Sequence, residues 1–476
     1  MVSLTAVILA AGQGTRMRSA LAKVLHPLAG QPIIHYCVAT ATALAGAPPV
    51  LVIGHGGDQV RAELGDRARY VVQADQLGTG HALMQVLPLL SESVHPAGER
   101  GTVVVTYGDM PLLSQETLAA LVEGHVQGDA VVSMLTVAAR DPRGFGRVLR
   151  DAAGRLQGIV EEADCTPEQR AIRELNAGIY CFDRAWLCEN LPRVPRSAKG
   201  EYYLTDVVGM AASQRRNVHA VACADEAEVL GINTRAHLAE AEAIMRSRIN
   251  RRWMEAGVTM PDPAATYIDS TVQIEPDTVI WPGTYLQGQT TIGRDCCIGP
   301  NTLIRSSQIA DGCTVMMSVL ESAIMEQGAS IGPFGHLRQG ARLCQGAHMG
   351  NFGEMKNSTL GPGSKMGHFS YLGDASVGAN VNIGAGTITC NFDGARKHAT
   401  VIEDDAFVGS DSMLVAPLRI GRGARTGAGS VVTHDVPADA VAYGVPARVK
   451  RMRDGPHEAG EHATDDQKAP RELEEK

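Results

Sequence analysis

At 476 residues the chain is too long for one hydrophobic core, so at least two domains are expected. Its 52 glycines and only 4% aromatic residues suit a repeat with tight corners better than a sandwich built on large rings. A formal net charge of −9, with no basic block inside the folded region, argues against nucleic acid as a main partner.

The N-terminus enters the strand-like run Thr5 to Ala10 with no charged leader, and no apolar stretch is long enough to span a bilayer. The ten cysteines fall singly or as Cys296-Cys297, without CxxC or other ligand spacing, which reads as reduced thiols. A soluble, non-exported, cytoplasmic protein with no membrane span is the expectation.

Apolar runs at Ala6 to Leu9, Val50 to Ile53, Tyr70 to Val72, Val103 to Thr106 and Ala130 to Val137 read as buried strands. Helical segments separate them, among them Ser114 to His125 with Ser114 as N-cap. The alternation predicts an α/β domain over residues 1–232 with a mostly parallel, Rossmann-like sheet. Ligands of such sheets bind at the carboxyl ends of the strands.

Two features fall at those ends. The glycine-rich turn Leu9-Ala10-Ala11-Gly12-Gln13-Gly14 follows the first strand, where backbone N–H groups of a strand-to-helix turn can meet phosphate. Arg16 and Lys23 add two cations, which suits a triphosphate better than a dinucleotide. Tyr107-Gly108-Asp109 closes a later strand and sets Asp109 where a Mg²⁺ ligand would sit, although such an aspartate is more often only a turn residue. The segment from Gln73 to His81 supplies an amide and pliable backbone near the same edge, suited to reading a base.

Residues 233–260 read as a linker helix, with Leu238, Ala241, Met245, Ile249 and Trp253 on one apolar face. From Ile268 an aliphatic residue recurs at every sixth position: Ile268, Ile274, Ile280, Leu286, Ile292, Ile298, Ile304. The register resets at what read as short insertions and resumes through Ile331 to Met355, Leu360 to Leu372, and Ile402 to Val432. Neither an amphipathic helix nor a half-buried strand has that period. Residues 261–447 are therefore expected to form a left-handed parallel β-helix of hexapeptide repeats, of about nine coils at roughly eighteen residues each, rather than a glycine-rich β-sandwich. The charged segment 448–476 is expected to be disordered.

Between Arg338 and Lys397 the repeat carries polar residues that a stacking core does not need: Arg338, Lys356, His368, Tyr371, Asn382, Asn391 and Lys397. An insertion from Thr389 to Lys397 breaks the hexad there, and insertions in solenoids tend to mark binding faces. Imidazole takes up a proton near neutral pH, so His368 is the natural candidate for a base in this group. One triangular prism offers only a shallow outer groove, so a homotrimer with the sites on this face shared between subunits is predicted.

Taken together, LAAGxGTRM, the Lys23 segment, QLGTGHA, YGDMP, GFGR, IVEE, LNAGIY, EYYLTD and GIN resemble the sugar-1-phosphate nucleotidyltransferases. With the solenoid attached, residues 4 to about 445 resemble the bacterial bifunctional N-acetylglucosamine-1-phosphate uridyltransferase / glucosamine-1-phosphate acetyltransferase family. The resemblance implies that Leu9, Ala10, Ala11, Gly12, Gln73, Gly78, Thr79, Tyr107 and Gly108 hold the nucleotide of UTP. It gives the triphosphate to Arg16 and Lys23, Mg²⁺ to Asp109 and Asn233, and N-acetylglucosamine-1-phosphate to Gly146, Glu161, Asn176 and Asn233.

In the solenoid it implies His368 as base. Arg338, Lys356, Tyr371, Asn382 and Lys397 fall to glucosamine-1-phosphate, and Ala385, Asn391, Phe392, Ser410 and Ala428 to acetyl-CoA. The implied setting is the synthesis of peptidoglycan and lipopolysaccharide precursors. Three positions depart from the family pattern: Gln13 where lysine is common, Phe392 in place of tyrosine, and Val445 where some members carry arginine. The alternatives are a monofunctional nucleotidyltransferase whose solenoid only oligomerises the chain, and a non-catalytic scaffold that keeps both folds.

Overall fold

The computed structural model describes residues 3–92, 101–139, 141, 142 and 144–452. The chain divides into two compact units. One holds the chain up to Gly257 with Asp262–Val272 and Leu286–Gly288; the other holds Val258–Pro261, Gln273–Tyr285 and the chain from Gln289 on. The helix expected as a separate linker thus belongs to the first unit, as do the first residues of the repeat.

The first unit is built on one mixed sheet. Its main strands are β1 (Ser3–Ala10), β2 (Val50–Ile53), β3 (Arg69–Val72), β4 (Gly101–Tyr107), β5 (Val132–Val137), β6 (Leu175–Asp183) and β7 (Val218–Ala222), in the order β7-β5-β6-β4-β1-β2-β3. Strands β4, β1, β2 and β3 run parallel, β7 is parallel to β5, and β6 is antiparallel to both β4 and β5. Strand β1 is buried on both sides, with Val7 and Leu9 in one core and Ala6 and Ile8 in the other. That double coverage explains why it reads as a continuous apolar run. Helix α1 (Ile33–Ala45) packs on the Ala6/Ile8 side through Ile34, Cys37 and Val38.

Helix α2 (Gln115–Gln127) starts where expected, and the Ser114 hydroxyl accepts from the Thr117 N–H at 3.1 Å. Helix α3 (Arg235–Glu255) is capped in the same way by Thr234. It buries Ala241, Met245, Ile249 and Trp253, while Leu238 is half-buried. Its polar side is also used within the unit: Glu242 accepts from the Ala29 N–H at 2.8 Å, and Arg248 donates to the Leu112 carbonyl at 2.5 Å.

In the second unit the hexads close into three parallel sheets that stack coil on coil. One ladder runs Ile292, Ile309, Met325, Leu343, Leu360, Val377, Ile402, Ile420. Every residue of the sequence-identified hexad series in this unit is buried to 5% exposure or less. Where the series breaks, short insertions were expected; most breaks are instead coils that lose a residue at a corner, as from Ile304 to Ile309 and from Val315 to Leu320, and an insertion falls only in the last, between Thr389 and Ile402. Coils approach so closely at the corners that a Cβ on Gly350 would lie 1.9 Å from the Gly367 carbonyl oxygen. This accounts for the recurring glycine after the aliphatic residue.

Two expectations need correction. Ala447–Met452 forms a strand antiparallel to Ala440–Gly444, so order extends past the boundary placed at 448. The rest of the expected disordered tail lies outside the described residues. The glycine-rich turn after β1 leads into a single 3-10 turn, Thr15–Met17, and no α-helix begins until Ile33. Phosphate at that turn would meet loop amides rather than the N-terminus of a helix.

Because each coil leans on its neighbours, a cavity in the stack should be felt throughout the solenoid. Ile298→Ala, at a fully buried ladder position, is expected to cost about 2–5 kcal/mol. Denaturant unfolding should place that loss in the solenoid transition and leave the first unit's transition unmoved.

Candidate active sites

Strands β1 and β4 end side by side. Leu9 pairs with Tyr107, and the Gly108 N–H donates to the Leu9 carbonyl at 3.0 Å. A side chain at Gly108 would meet Ala10 and Ile34 at 2.9 Å, so only glycine lets the two strand ends close. The Gly14 turn folds onto Lys23, whose ammonium reaches across the strand ends to Asp109 Oδ2 at 2.5 Å and Asn233 Oδ1 at 3.0 Å. A cation thus already bridges the two oxygens expected to hold metal. Carboxylate and amide oxygens beside a phosphate site are a donor set that Mg²⁺ accepts. Among the described residues no group of three or more His, Cys, Asp or Glu side chains could hold a metal.

A cavity of about 480 Å³ opens beside this cluster and brings together Arg16, Gly78, Thr79, Tyr107, Asp109, Gly146, Glu161, Asn176 and Asn233. The Gly78 loop is tied to the EYYLTD segment: Tyr202 N–H donates to the Leu77 carbonyl, Gly80 N–H to the Tyr202 carbonyl, and Leu204 N–H to Thr79 Oγ1. A side chain at Gly78 would meet the Tyr202 carbonyl at 2.6 Å. Leu9, Ala11 and Gln73 are buried rather than open to the cavity. The Gln73 amide donates to the Gly78 carbonyl at 3.1 Å, while Gln76, of the same segment, donates to the Ala11 carbonyl at 2.8 Å. Ala10 is half-buried, and Gly12 and Gln13 are exposed on the turn.

Glu201, Tyr203, Thr205 and His237 also line the cavity, and no role was assigned to them from the sequence. For Glu201, Tyr203 and Thr205 the signal was present in EYYLTD, but a motif does not say which of its side chains turn inward; His237, on the first turn of α3, lay outside every motif. Thr205 Oγ1 donates to Glu161 Oε1 at 2.8 Å. Burial raises the Glu161 carboxyl above its ordinary range, and the Thr205 hydrogen bond opposes the shift. Burial, reinforced by the Asp109 carboxylate, also pushes the Tyr107 phenol up, so it stays a neutral donor.

In the solenoid one edge gathers four assigned residues. His368, Ala385, Ser410 and Ala428 occupy the same corner of successive coils, linked by Gly386 N–H to the Phe369 carbonyl, Asp411 N–H to the Ala385 carbonyl and Gly429 N–H to the Ser410 carbonyl. The edge continues the other way as exposed aromatics, with Phe334 and Phe352 stacked at 5.2 Å. His368 itself is exposed and makes no hydrogen bond within the described residues.

The adjoining face carries Arg338, Lys356 and Tyr371, with Asn391 and Lys397 brought over from the insertion. Arg338 donates to Glu354 at 2.8 Å. The Lys397 ammonium, followed by Arg338, lowers the Lys356 amine below the ordinary lysine range, a crowding of cations that an anion would relieve. Asn382 sits on a different sheet, paired with Lys365 and Phe407. Of the departures, Phe392 and Val445 are both largely exposed.

A nucleotide-sized cavity at the carboxyl ends of a mixed sheet, followed by a hexapeptide solenoid with a polar edge, defines a nucleotidyltransferase joined to an acyltransferase. Residues 6–177 match the MobA-like NTP transferase domain, residues 271–306 the bacterial transferase hexapeptide and residues 399–434 the hexapeptide repeat of succinyl-transferase. The chain is 49% identical to bifunctional protein GlmU of Heliobacterium modesticaldum over 439 residues, 92% of this chain and 94% of that protein. It is 50% identical to that of Stutzerimonas stutzeri over 446 residues, covering 93% and 96%, and 45% identical to that of Brevibacillus brevis over 453 residues, covering 95% and 97%. The chain belongs to the bifunctional GlmU family, whose solenoid is a left-handed parallel β-helix. Relatives that are bifunctional over nearly the whole length support neither a purely structural solenoid nor a scaffold.

Glu161 allows a check on the first cavity. Its folded-state carboxyl titrates above the ordinary value of 4.5, so the charge costs stability above both values and nothing when both states are protonated. Glu161→Gln should therefore melt higher than wild type at about pH 7. The gain should shrink as pH falls and vanish below the ordinary glutamate value. An equal melting temperature at neutral pH would place Glu161 in a solvated position instead.

Proposed function

We infer that the chain makes UDP-N-acetylglucosamine in two steps, acetyl transfer from acetyl-CoA to glucosamine-1-phosphate in the solenoid and then uridylyl transfer from UTP in the first domain. The observation that carries this reading is that each constellation converges within its own unit. Lys23, Asp109 and Asn233 meet at the strand ends, while Lys356, Tyr371, Asn391 and Lys397 meet on the solenoid face that begins at the His368 corner.

In uridylyl transfer a phosphate oxygen of the sugar attacks the α-phosphorus of UTP and pyrophosphate leaves, so the protein's work is alignment and charge stabilisation. Leu9 to Gly12, Gln73, Gly78, Thr79, Tyr107 and Gly108 seat the nucleotide, and Arg16 and Lys23 face the triphosphate. Gly146, Glu161, Asn176 and Asn233 orient the sugar phosphate. Asp109 and Asn233 would hold Mg²⁺, which supplies charge neutralisation on the phosphate oxygens. Lys23 hydrogen-bonds both of those oxygens, so the residues that would hold the metal also carry a cation for the triphosphate.

In acetyl transfer the glucosamine nitrogen attacks the thioester carbonyl, its proton passes to His368, and CoA leaves as the thiol. Arg338, Lys356, Tyr371 and Lys397 take the sugar phosphate, consistent with crowded cations awaiting an anion, and Asn382, on the other sheet, would reach it from an adjoining subunit. Ala385, Ser410 and Ala428 keep one edge small, which leaves backbone groups open to the pantetheine arm, and Asn391 and Phe392 border it. The reading places the enzyme in the cytoplasm.

The direct test is incubation with glucosamine-1-phosphate, acetyl-CoA, UTP and Mg²⁺, each omitted in turn. Asp109→Ala or EDTA should abolish uridylyl transfer and spare acetyl transfer. His368→Ala should cost acetyl transfer about two to four orders of magnitude in kcat and spare uridylyl transfer. Loss of both activities in either variant would point to misfolding or a wrong assignment.

A base on an open edge, beside Phe334, Phe352 and Phe369 that are each more than half exposed, is better suited to a shared site than to an isolated prism. The enzyme is accordingly read as a homotrimer whose subunits enclose the edge. Sedimentation should give a trimer, and a fully active monomer would refute it.

A further inference from the structure

At the end of the Ser370–Gly373 strand away from His368, next to Lys356 and Lys397, lies a corner, Gly373-Asp374, to which no role has been given. Asp374 sits in the left-handed region at φ 49°, which aspartate tolerates, and its backbone joins two coils: its N–H donates to the Lys356 carbonyl and its carbonyl accepts from the Thr400 N–H. Its carboxylate joins two side chains. Oδ1 accepts from Asn357 Nδ2 at 2.6 Å and Oδ2 from Asn391 Nδ2 at 2.6 Å. The Asn357 hydrogen bond, together with those of Asn391 and the charges of Lys397 and Lys356, holds the Asp374 carboxyl below its ordinary range, so it is an acceptor only.

An acceptor-only partner decides which way an asparagine faces. Asn391 must turn its NH₂ toward Asp374, and its oxygen is left without a hydrogen bond among the described residues. Gly373 makes room for this arrangement, because a Cβ there would lie 2.7 Å from Asn391 Nδ2 and 2.4 Å from the Tyr371 hydroxyl. Asn391 is otherwise held by its backbone, with its N–H on the Thr389 carbonyl and its carbonyl receiving the His398 N–H.

We propose that Asp374 is a positioning residue of the acetyl-transfer site, fixing the Asn391 amide so that its oxygen is offered to an N–H of the acyl-CoA pantetheine arm, while its charge offsets the Lys356 and Lys397 ammonium groups. The inference rests on the assignment of Asn391 to acyl-CoA and of the two lysines to the sugar phosphate. Pantetheine carries amide N–H groups that an oriented carbonyl oxygen can accept, and an unconstrained asparagine would present oxygen and NH₂ alike.

The test is steady-state acetyl transfer by the full-length protein. Asp374→Asn keeps the shape and tolerates the same backbone, yet removes the charge and the acceptor-only rule. It should raise the KM for acetyl-CoA about tenfold, the worth of one hydrogen bond to a charged group. The KM for glucosamine-1-phosphate should stay level or fall, because Lys356 and Lys397 lose their counter-charge. A merely structural lesion would raise both.

Asn391→Asp should be worse than Asn391→Ala, since it sets two carboxylates face to face. The double variant D374N/N391D, which exchanges donor and acceptor, should recover acetyl-CoA binding relative to N391D alone. If Asn391→Ala raises the acetyl-CoA KM but Asp374→Asn changes it less than about twofold, the positioning role is overturned and the site assignment stands. If Asn391→Ala has no effect either, the assignment falls and the inference with it.

Discussion

The second domain depends on a steric limit: a coil of three short strands has room inside for about three side chains, one per strand. Ile292, Ile309, Met325 and Leu343 fill one such column, and their neighbours in sequence must point outward or form corners. Polar chemistry is thereby excluded from the interior and confined to edges and faces. A residue added to a coil cannot enter the stack: of the insertion expected from Thr389 to Lys397, Thr389 keeps its buried place in the ladder, and the chain loops outward only after Asn391, returning Lys397 to the neighbourhood of Lys356.

The first domain meets the same need for placed charge by other means. Its sheet is buried on both faces, so functional groups can emerge only where strands end, and Gly108 permits the ends of β1 and β4 to approach. Lys23, Asp109 and Asn233 come from three distant parts of the chain and meet there at hydrogen-bond distance. In the solenoid the scaffold is a repeat and the site is its interruption; in the sheet the scaffold is continuous and the site is its terminus. Both keep reactive groups on rigid elements while leaving them open to substrate.

The solenoid was legible because its period is dictated by a local constraint, one inward aliphatic residue per strand. The central strands were legible for a similar reason, since Val50–Ile53 and Gly101–Tyr107 are buried on both faces and read as unbroken apolar runs. The helix after the phosphate turn was over-read: glycines after a strand suggest a strand-to-helix turn, but only a 3-10 turn fits before the chain folds Lys23 back onto the strand ends. The end of order was placed at 448 because Ala447–Met452 is too charged to resemble a core strand. It is ordered by edge pairing with Ala440–Gly444, which needs backbone groups and not apolar side chains.

By itself the sequence determined the two architectures, their order along the chain and the inventory of chemical groups, because periodicity, glycine placement and residue type are local properties. Tertiary structure alone decided which of those groups meet. It set Lys23 between Asp109 and Asn233, turned Thr205 onto Glu161, aligned His368 with Ala385, Ser410 and Ala428 along one edge, and joined Asn357 and Asn391 through Asp374. The reason is that those encounters depend on strand order, corner register and the route of an insertion, which are fixed by packing between segments far apart in the chain.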